Sequence, residues 1–168
     1  MLEEIYTYDK KDDTFYVGER LMPLGNFYLY ELIGEDGVLS SLTLFHQDYI
    51  HETKDKSDYL DYMEKFKALL GEKNDPLEVK KSFPNHDFIW EHLKGQLIKS
   101  VYSDEDHWDL SKVTAINSKK VSLEAVDIPL FKTVNDLEID LSLDNFAMIE
   151  IASTQLKLIE KILESHPK

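Results

Sequence analysis

The stretch NFYLYELI, residues Asn26 to Ile33, is the part of this sequence from which the fold is best predicted. It is apolar on both faces of an extended chain, which is typical of a central strand covered on both sides. A compact turn, Gly34-Glu35-Asp36-Gly37, separates it from a second strand pattern in residues 38–49. Two further β-rich runs, residues 5–8 and 14–17, precede it, so four consecutive strands predict an antiparallel meander.

The middle of the chain carries helical patterns. One apolar stripe with three- and four-residue spacing comprises Tyr59, Tyr62, Met63, Phe66 and Leu70. Asp75 followed by Pro76 predicts the start of a second, short helix. A third pattern begins at Asn85 and extends to Val101, although Gly95 inside it costs about 1 kcal/mol relative to alanine.

The last third returns to strand patterns, beginning with residues 120–128. Apolar residues then alternate with polar ones from Leu137 to Leu143, which indicates a half-buried strand. Asp144 and Asn145 predict a hairpin turn, after which residues 146–151 pair back, and residues 153–164 form a terminal helix. No internal repeat is visible. We therefore predict one α+β domain over residues 1–168, with an antiparallel sheet, or two packed sheets, built from an N-terminal meander and a C-terminal hairpin, and with helices packed on one face.

Charge excludes some functions and favours others. Asp and Glu number 33 against 19 Lys and Arg, which gives a net charge of −14, and Arg20 is the sole arginine. Such a chain repels nucleic acid and anionic lipid, and it attracts basic proteins over long range. A second interpretation is that the acidity only maintains solubility.

Compartment and chemistry are constrained by absences in the sequence. There are no cysteines, no apolar run near the roughly 20 residues of a membrane span, and no pattern of a signal peptide at Met1, so we expect a cytoplasmic protein. His46, Asp48, His51 and Glu52 are metal-ligand types, but strand alternation does not bring them together. The acidic run at Asp104 lacks the glycine and glutamate of an EF-hand loop. We expect no catalytic, cofactor or metal site and no enzymatic activity.

Acidic residues are concentrated where basic ones are missing. No Lys or Arg occurs between Arg20 and Lys54 or between Lys132 and Lys157, and the run 103–109 (SDEDHWD) contains four acids around Trp108. If the strands of both base-free stretches share a sheet, its exposed side or rim should be acidic. The predicted partner-binding residues are Asp104, Glu105, Asp106, Trp108, Asp109, Glu138, Asp140 and Asp144. The alternative is a solvated acidic loop whose tryptophan folds back on the core.

The arrangement of the opening meander (residues 5–49), the amphipathic middle helices and the closing segment (residues 137–151) resembles small bacterial proteins of the polymorphic-toxin immunity type. This resemblance implies an acidic protein, an immunity protein or antitoxin, that blocks a basic toxin domain. The other interpretation is a housekeeping or regulatory protein that binds a different partner, and a small enzyme is a third. The oligomeric state is left open.

Overall fold

The structure, a computed structural model, describes residues 1–8, 14–70, 86–104, 107–127 and 132–165. Within these residues ten strands form one antiparallel sheet in the order β5-β1-β2-β3-β4-β10-β6-β7-β8-β9. The strands are β1 (Leu2–Thr7), β2 (Tyr16–Leu24), β3 (Phe27–Ile33), β4 (Leu39–His46), β5 (Ile50–Lys54), β6 (Leu97–Tyr102), β7 (Asp109–Ile116), β8 (Lys120–Asp127), β9 (Lys132–Ser142) and β10 (Phe146–Ser153). The α+β class with a large antiparallel sheet is therefore confirmed.

Three helices accompany the sheet: α1 (Asp58–Leu70), α2 (His86–Leu93) and α3 (Thr154–Ser165). Two short 3-10 turns, Gln47–Tyr49 and Leu143–Asn145, link β4 to β5 and β9 to β10. No helix in the described ranges has the length and apolar character needed to cross a bilayer.

The stretch NFYLYELI forms β3, an interior strand in which every residue but Tyr28 is buried. Leu29 packs in a large core cluster with α2, whereas Tyr30 packs in a second cluster on the other face. The predicted meander is also confirmed, because β1, β2, β3 and β4 pair in succession. Continuous apolarity identified this strand because both of its faces are covered.

The sheet consists of two copies of one unit, although the sequence shows no repeat. The N-terminal unit comprises β1 to β5 and α1, and its strand order is β5-β1-β2-β3-β4. The C-terminal unit comprises β6 to β10 and α3, and its order is β10-β6-β7-β8-β9. Each unit thus runs through four antiparallel strands, a 3-10 turn, a fifth strand that pairs with the first, and a helix.

The irregularities of the two units coincide as well. The fifth strand leaves one residue unpaired against the first strand, His51 in one unit and Ala147 in the other. The second strand has a bulge at Leu21 in one unit and at Thr114 in the other. Because bulges are specific to a register, their coincidence shows that the first, second and fifth strands of the two units match residue by residue.

Helix capping repeats in the same way. Ser57 Oγ accepts a hydrogen bond from the Leu60 N–H (3.1 Å), and Ser153 Oγ accepts one from the Leu156 N–H (3.1 Å). Beneath the helices lie equivalent apolar clusters. The first contains Leu2, Val17, Ile33, Leu60 and Met63, and the second contains Leu97, Leu110, Val126, Leu156 and Ile159. Each helix is therefore positioned by the same N-cap and by the same five core positions.

The units join through β4 and β10, which pair antiparallel. β10 is the counterpart of β5 in the repeat. The β4 edge of the N-terminal unit is therefore paired with the edge of the C-terminal unit that corresponds to β5, and each strand of the C-terminal unit runs opposite to its counterpart in the N-terminal unit. Residues paired across neighbouring strands lie on the same face of the sheet. By this rule the strand residues under α3 lie on the face of Tyr30, and those under α1 lie on the face of Glu31, the next residue of β3. Neighbouring strand residues point to opposite faces, so α1 and α3 pack on opposite faces and the expectation of helices on one face is not met.

The predicted C-terminal hairpin is wrong. β9 does not pair with β10, which lies between β4 and β6. At the link, the Ser142 side chain accepts a hydrogen bond from the Asp144 N–H, and the residues on either side of the 3-10 turn keep an extended backbone. The chain therefore continues in its direction instead of reversing.

The predicted third helix is too long. It ends at Leu93, Gly95 adopts a positive φ of 84°, and Leu97 to Tyr102 form β6. Strands β5, β6 and β7 were not predicted, while the helices after residue 57 and at the C-terminus were. The helix predicted from Asp75 lies outside the described residues.

Candidate functional site

Two grooves occupy matching places in the two units. The first groove has a volume of about 510 Å³. Its lining residues in the N-terminal unit include Phe15, Tyr16, Val17, Leu32, Ile33, Gly34 and Thr43. The second groove has a volume of about 440 Å³, and its lining includes Trp108, Asp109, Leu110, Ala125, Val126, Asp127 and Ile139. Strand register makes these two sets equivalent, position by position.

The grooves differ in how they are closed. Met148 and Glu150 of β10 also line the first groove, because β10 pairs with β4 along that side. In the second groove β9 takes the place of β4, and among the described strands β9 has no neighbour on its outer side. The second groove is therefore the same site without its closing strand.

Trp108 lies at the border of the two grooves and contributes to both. Its side chain is 38% exposed. The Lys99 ammonium lies 4.9 Å from the ring centroid, donates a hydrogen bond to Gln155 and is 3.7 Å from Glu150. The tryptophan is thus held in place by a cation while one surface remains available to a ligand.

The charged residues that line the grooves have one sign. Glu35 and Glu150 line the first groove, and Asp109 and Asp127 line the second. A third, adjoining groove of about 420 Å³ includes Asp36 and again Glu150. Within the part of the chain that the structure describes, no lysine, arginine or histidine lines these three grooves. Their remaining surface is largely apolar, so the grooves suit a ligand that is both basic and hydrophobic.

The predicted binding residues come together only in part. Trp108 and Asp109 line the second groove with Ile139, the neighbour of Asp140 on β9. Asp104 is exposed in the turn after β6, whereas Glu105 and Asp106 lie outside the described residues. Asp140 is exposed and accepts a hydrogen bond from the Ser122 hydroxyl. Glu138 pairs with Glu124 in the sheet, and its side chain lies outside the described set.

Asp144 lies elsewhere, at the contact between the units. Its carboxylate accepts a hydrogen bond from the Asn26 amide (2.9 Å) and lies 3.7 Å from His46 Nε2. The expected acidic sheet face is also absent from the centre of the sheet, where Glu31 and Glu150 are 4% and 9% exposed. The base-free stretches do share one sheet, but β3 and β10 are interior strands of it, so Glu31 and Glu150 are buried.

Asp127 and Ile139 were not predicted as site residues. Ile139 belongs to the alternating pattern of β9 but is 45% exposed, unlike Leu123, its partner in β8. The exposure of Ile139 follows from the edge position of β9, which has no outer neighbour among the described strands. The alternation in the sequence does not contain that information. Recognition of the repeat is the signal that could have located both residues.

Tyr59 provides a hydrogen-bond donor at the first groove. Burial raises the pKa of its phenol, and the nearby carboxylate of Glu35 raises it further. The hydroxyl therefore remains protonated across the neutral range. Among the described residues no group of three or more His, Asp or Glu is placed to hold a metal ion, and His46 instead accepts a hydrogen bond from the Asp48 N–H.

Comparison of the chain with protein-family models, with curated proteins and with solved structures yields no match. The grooves and their charge are thus the basis for any functional proposal.

Proposed function

We propose that this chain is an acidic binding protein whose second groove, together with Trp108, engages a basic and partly apolar segment of a partner protein. An immunity protein or antitoxin that blocks a basic toxin domain is the specific form of this proposal. The observation that carries it is the sign of the charges in the grooves: Asp109 and Asp127 line the second groove, and none of the side chains that the structure describes along it is basic.

The apolar part of the site supports a protein ligand. Trp108 and Ile139 are 38% and 45% exposed, and both border the same groove. Exposed tryptophan next to a concave apolar surface is the composition of an interface hot spot. Carboxylates around such a hot spot accelerate association with a basic partner and fix its orientation, with an effect that weakens as salt increases.

Capture of partners from the host cell tests the binding site. The variant Asp109→Asn/Asp127→Asn removes the two carboxylates of the second groove. A matched control, Glu91→Gln/Glu164→Gln, removes two exposed carboxylates from α2 and α3. At low ionic strength we expect the wild type and the control to retain one basic protein, and the groove variant to bind it about tenfold more weakly or worse. Equal capture by all three proteins, or an acidic partner, would contradict the proposal.

The nature of the partner then separates the two forms of the proposal. If the captured protein arrests growth when it is expressed alone, co-expression of the wild-type chain should restore growth and the groove variant should not. A captured basic protein without toxicity would retain the binding site and refute the immunity role in favour of a regulatory or housekeeping partner.

A further inference from the structure

The outer edge of β9 is the counterpart of an edge that is filled elsewhere in the same molecule. β9 corresponds to β4 in the repeat, and the outer side of β4 is occupied by β10 along Met148 to Ser153. On that side β10 supplies backbone partners to β4 and also contributes Met148 and Glu150 to the first groove. The molecule therefore contains a complete version and an open version of one site.

We propose that the edge of β9 accepts an extended segment of the partner protein as an eleventh, antiparallel strand, which closes the second groove as β10 closes the first. This inference rests on the proposed function and names the segment that the basic partner contributes. Addition of a strand to a sheet edge gains main-chain hydrogen bonds, and side-chain complementarity supplies the specificity.

The alternation of β9 defines the chemistry of that strand. Ile139 and Leu141 share one face of β9, and Asp140 lies on the other face. In the β4–β10 pair, the residues opposite the groove-side positions of β4 are Met148 and Glu150. Because β4 has the polar Thr43 where β9 has Ile139, the chemistry of the added strand is set by β9 itself: apolar residues opposite Ile139 and Leu141, and lysine or arginine opposite Asp140. An alternating basic and apolar segment satisfies both faces.

A second copy of this chain fits the edge poorly. The segment equivalent to β10 in another copy is β5 and the residues after it, and the register of the β4–β10 pair would set Glu52 opposite Leu141 and Lys54 opposite Ile139. Both apolar positions would then face charges. Each copy also carries a net charge of −14, which opposes self-association. Charge complementarity thus favours a basic partner over a second copy.

The test uses the full chain and a synthetic peptide in which lysine alternates with valine. Amide hydrogen exchange along β9 is measured with and without the peptide, and binding is measured in parallel by calorimetry. We expect the peptide to slow exchange of the β9 amides. A second peptide of the same sequence, with backbone N-methyl groups on alternate residues, keeps the charge and removes hydrogen-bond donors, so it should bind at least about tenfold more weakly.

Variants locate the site. Glu138→Lys/Asp140→Lys should abolish protection of β9 by the lysine–valine peptide, whereas the control Asp48→Lys/Asp61→Lys, which changes exposed acids of the other unit by the same charge, should preserve it. Far-UV circular dichroism establishes that each variant is folded.

The outcomes distinguish this inference from the function on which it rests. If both peptides bind equally and the β9 amides exchange unchanged while the Asp109→Asn/Asp127→Asn variant binds more weakly, strand addition is refuted and the acidic groove stands. If neither peptide binds, strand addition is refuted, and the capture experiment alone then decides on the groove. A dimer of the free protein that forms with increasing concentration and protects the β9 amides would also overturn the inference, since a second copy would then occupy the edge of β9.

Discussion

The two units of this molecule share one backbone arrangement and differ in the side chains that fill their interiors. At three equivalent positions the N-terminal unit has Glu3, Arg20 and Tyr30, and the C-terminal unit has Ile98, Val113 and Leu123. Arg20 donates hydrogen bonds to Glu3 (2.8 Å) and to the Tyr30 hydroxyl (2.9 Å). The apolar counterparts are all buried. One strand register therefore supports either a polar network or an apolar core, provided that each is internally complete.

The edges of the two units differ in the same manner. Leu44 of β4 is fully buried against β10, and its counterpart Asp140 on β9 is exposed. A charged residue on an edge strand discourages unspecific pairing with other sheets. The edge that β10 fills is apolar at Leu44, and the edge of β9, which has no outer neighbour among the described strands, is acidic at Asp140.

The largest effect is expected where the units join. Leu44→Ala leaves a cavity in the core cluster that Leu44 forms with Leu29 and Ile149, and it should lower the free energy of unfolding by about 2–5 kcal/mol. The equivalent change at the open edge, Asp140→Ala, should alter it by less than about 0.5 kcal/mol. Urea denaturation of both variants measures the difference. Similar losses of unfolding free energy in the two variants would contradict the difference between the buried position on β4 and the exposed position on β9.

The polar network of the N-terminal unit is expected to rank second. Arg20→Leu removes the donor to the Tyr30 hydroxyl and one of the two donors to Glu3, which keeps the hydrogen bond from the Tyr30 hydroxyl (3.0 Å). The variant should cost about 1–3 kcal/mol, with allowance for the partial exposure of the arginine. The triple variant Glu3→Ile/Arg20→Val/Tyr30→Leu copies the C-terminal unit and should recover most of that loss. A triple variant that is less stable than Arg20→Leu in urea denaturation would contradict the equivalence of the two interiors.

Helix capping should have the same, smaller effect in both units. Ser57→Ala and Ser153→Ala each remove the side-chain acceptor for the first turn of α1 or α3, at a cost of about 1 kcal/mol. Thermal unfolding of the two variants provides the measurement. Costs that differ by more than about 1 kcal/mol would argue against equivalent caps.

The smallest of the four effects on stability is expected at alkaline pH, and it should come from the N-terminal unit. Burial, with a further contribution from the Glu3 carboxylate, raises the pKa of Tyr30 above its ordinary value of 10.0. The folded state therefore favours the neutral phenol, so this contribution is complete below pH 10 and declines as pH rises through the pKa of the folded state. Tyr30→Phe should reduce the loss of unfolding free energy between about pH 10 and about pH 11 by up to roughly 1 kcal/mol. An unchanged pH dependence in urea denaturation would refute the assignment.

Local patterns in the sequence predicted the meander, α1 and α3. In α3 the apolar spacing agrees with the burial of Leu156 and Ile159, whereas in α1 Met63 is buried but Tyr59 and Tyr62 of the predicted stripe are 37% and 53% exposed. The local patterns did not predict β6, because Leu97, Ile98 and Val101 continue the helical spacing of α2 and the positive φ of Gly95 alone separates the two elements. The repeat is hidden because equivalent positions such as Tyr30 and Leu123 satisfy the same backbone with different chemistry. Trp108 and Asp109 were predicted from composition, whereas the groove depends on the edge position of β9.

Tryptophan accessibility tests the central claim, that the acidic grooves bordered by Trp108 receive a basic partner. Trp90 is 6% exposed and Trp108 is 38% exposed, so acrylamide quenches mainly Trp108 and the buried residue serves as an internal reference. Acrylamide quenching of the wild-type protein is measured with and without the captured basic partner. We predict that the partner protects the quenchable tryptophan and that high salt restores quenching. Quenching that is unchanged under saturating partner would contradict the claim.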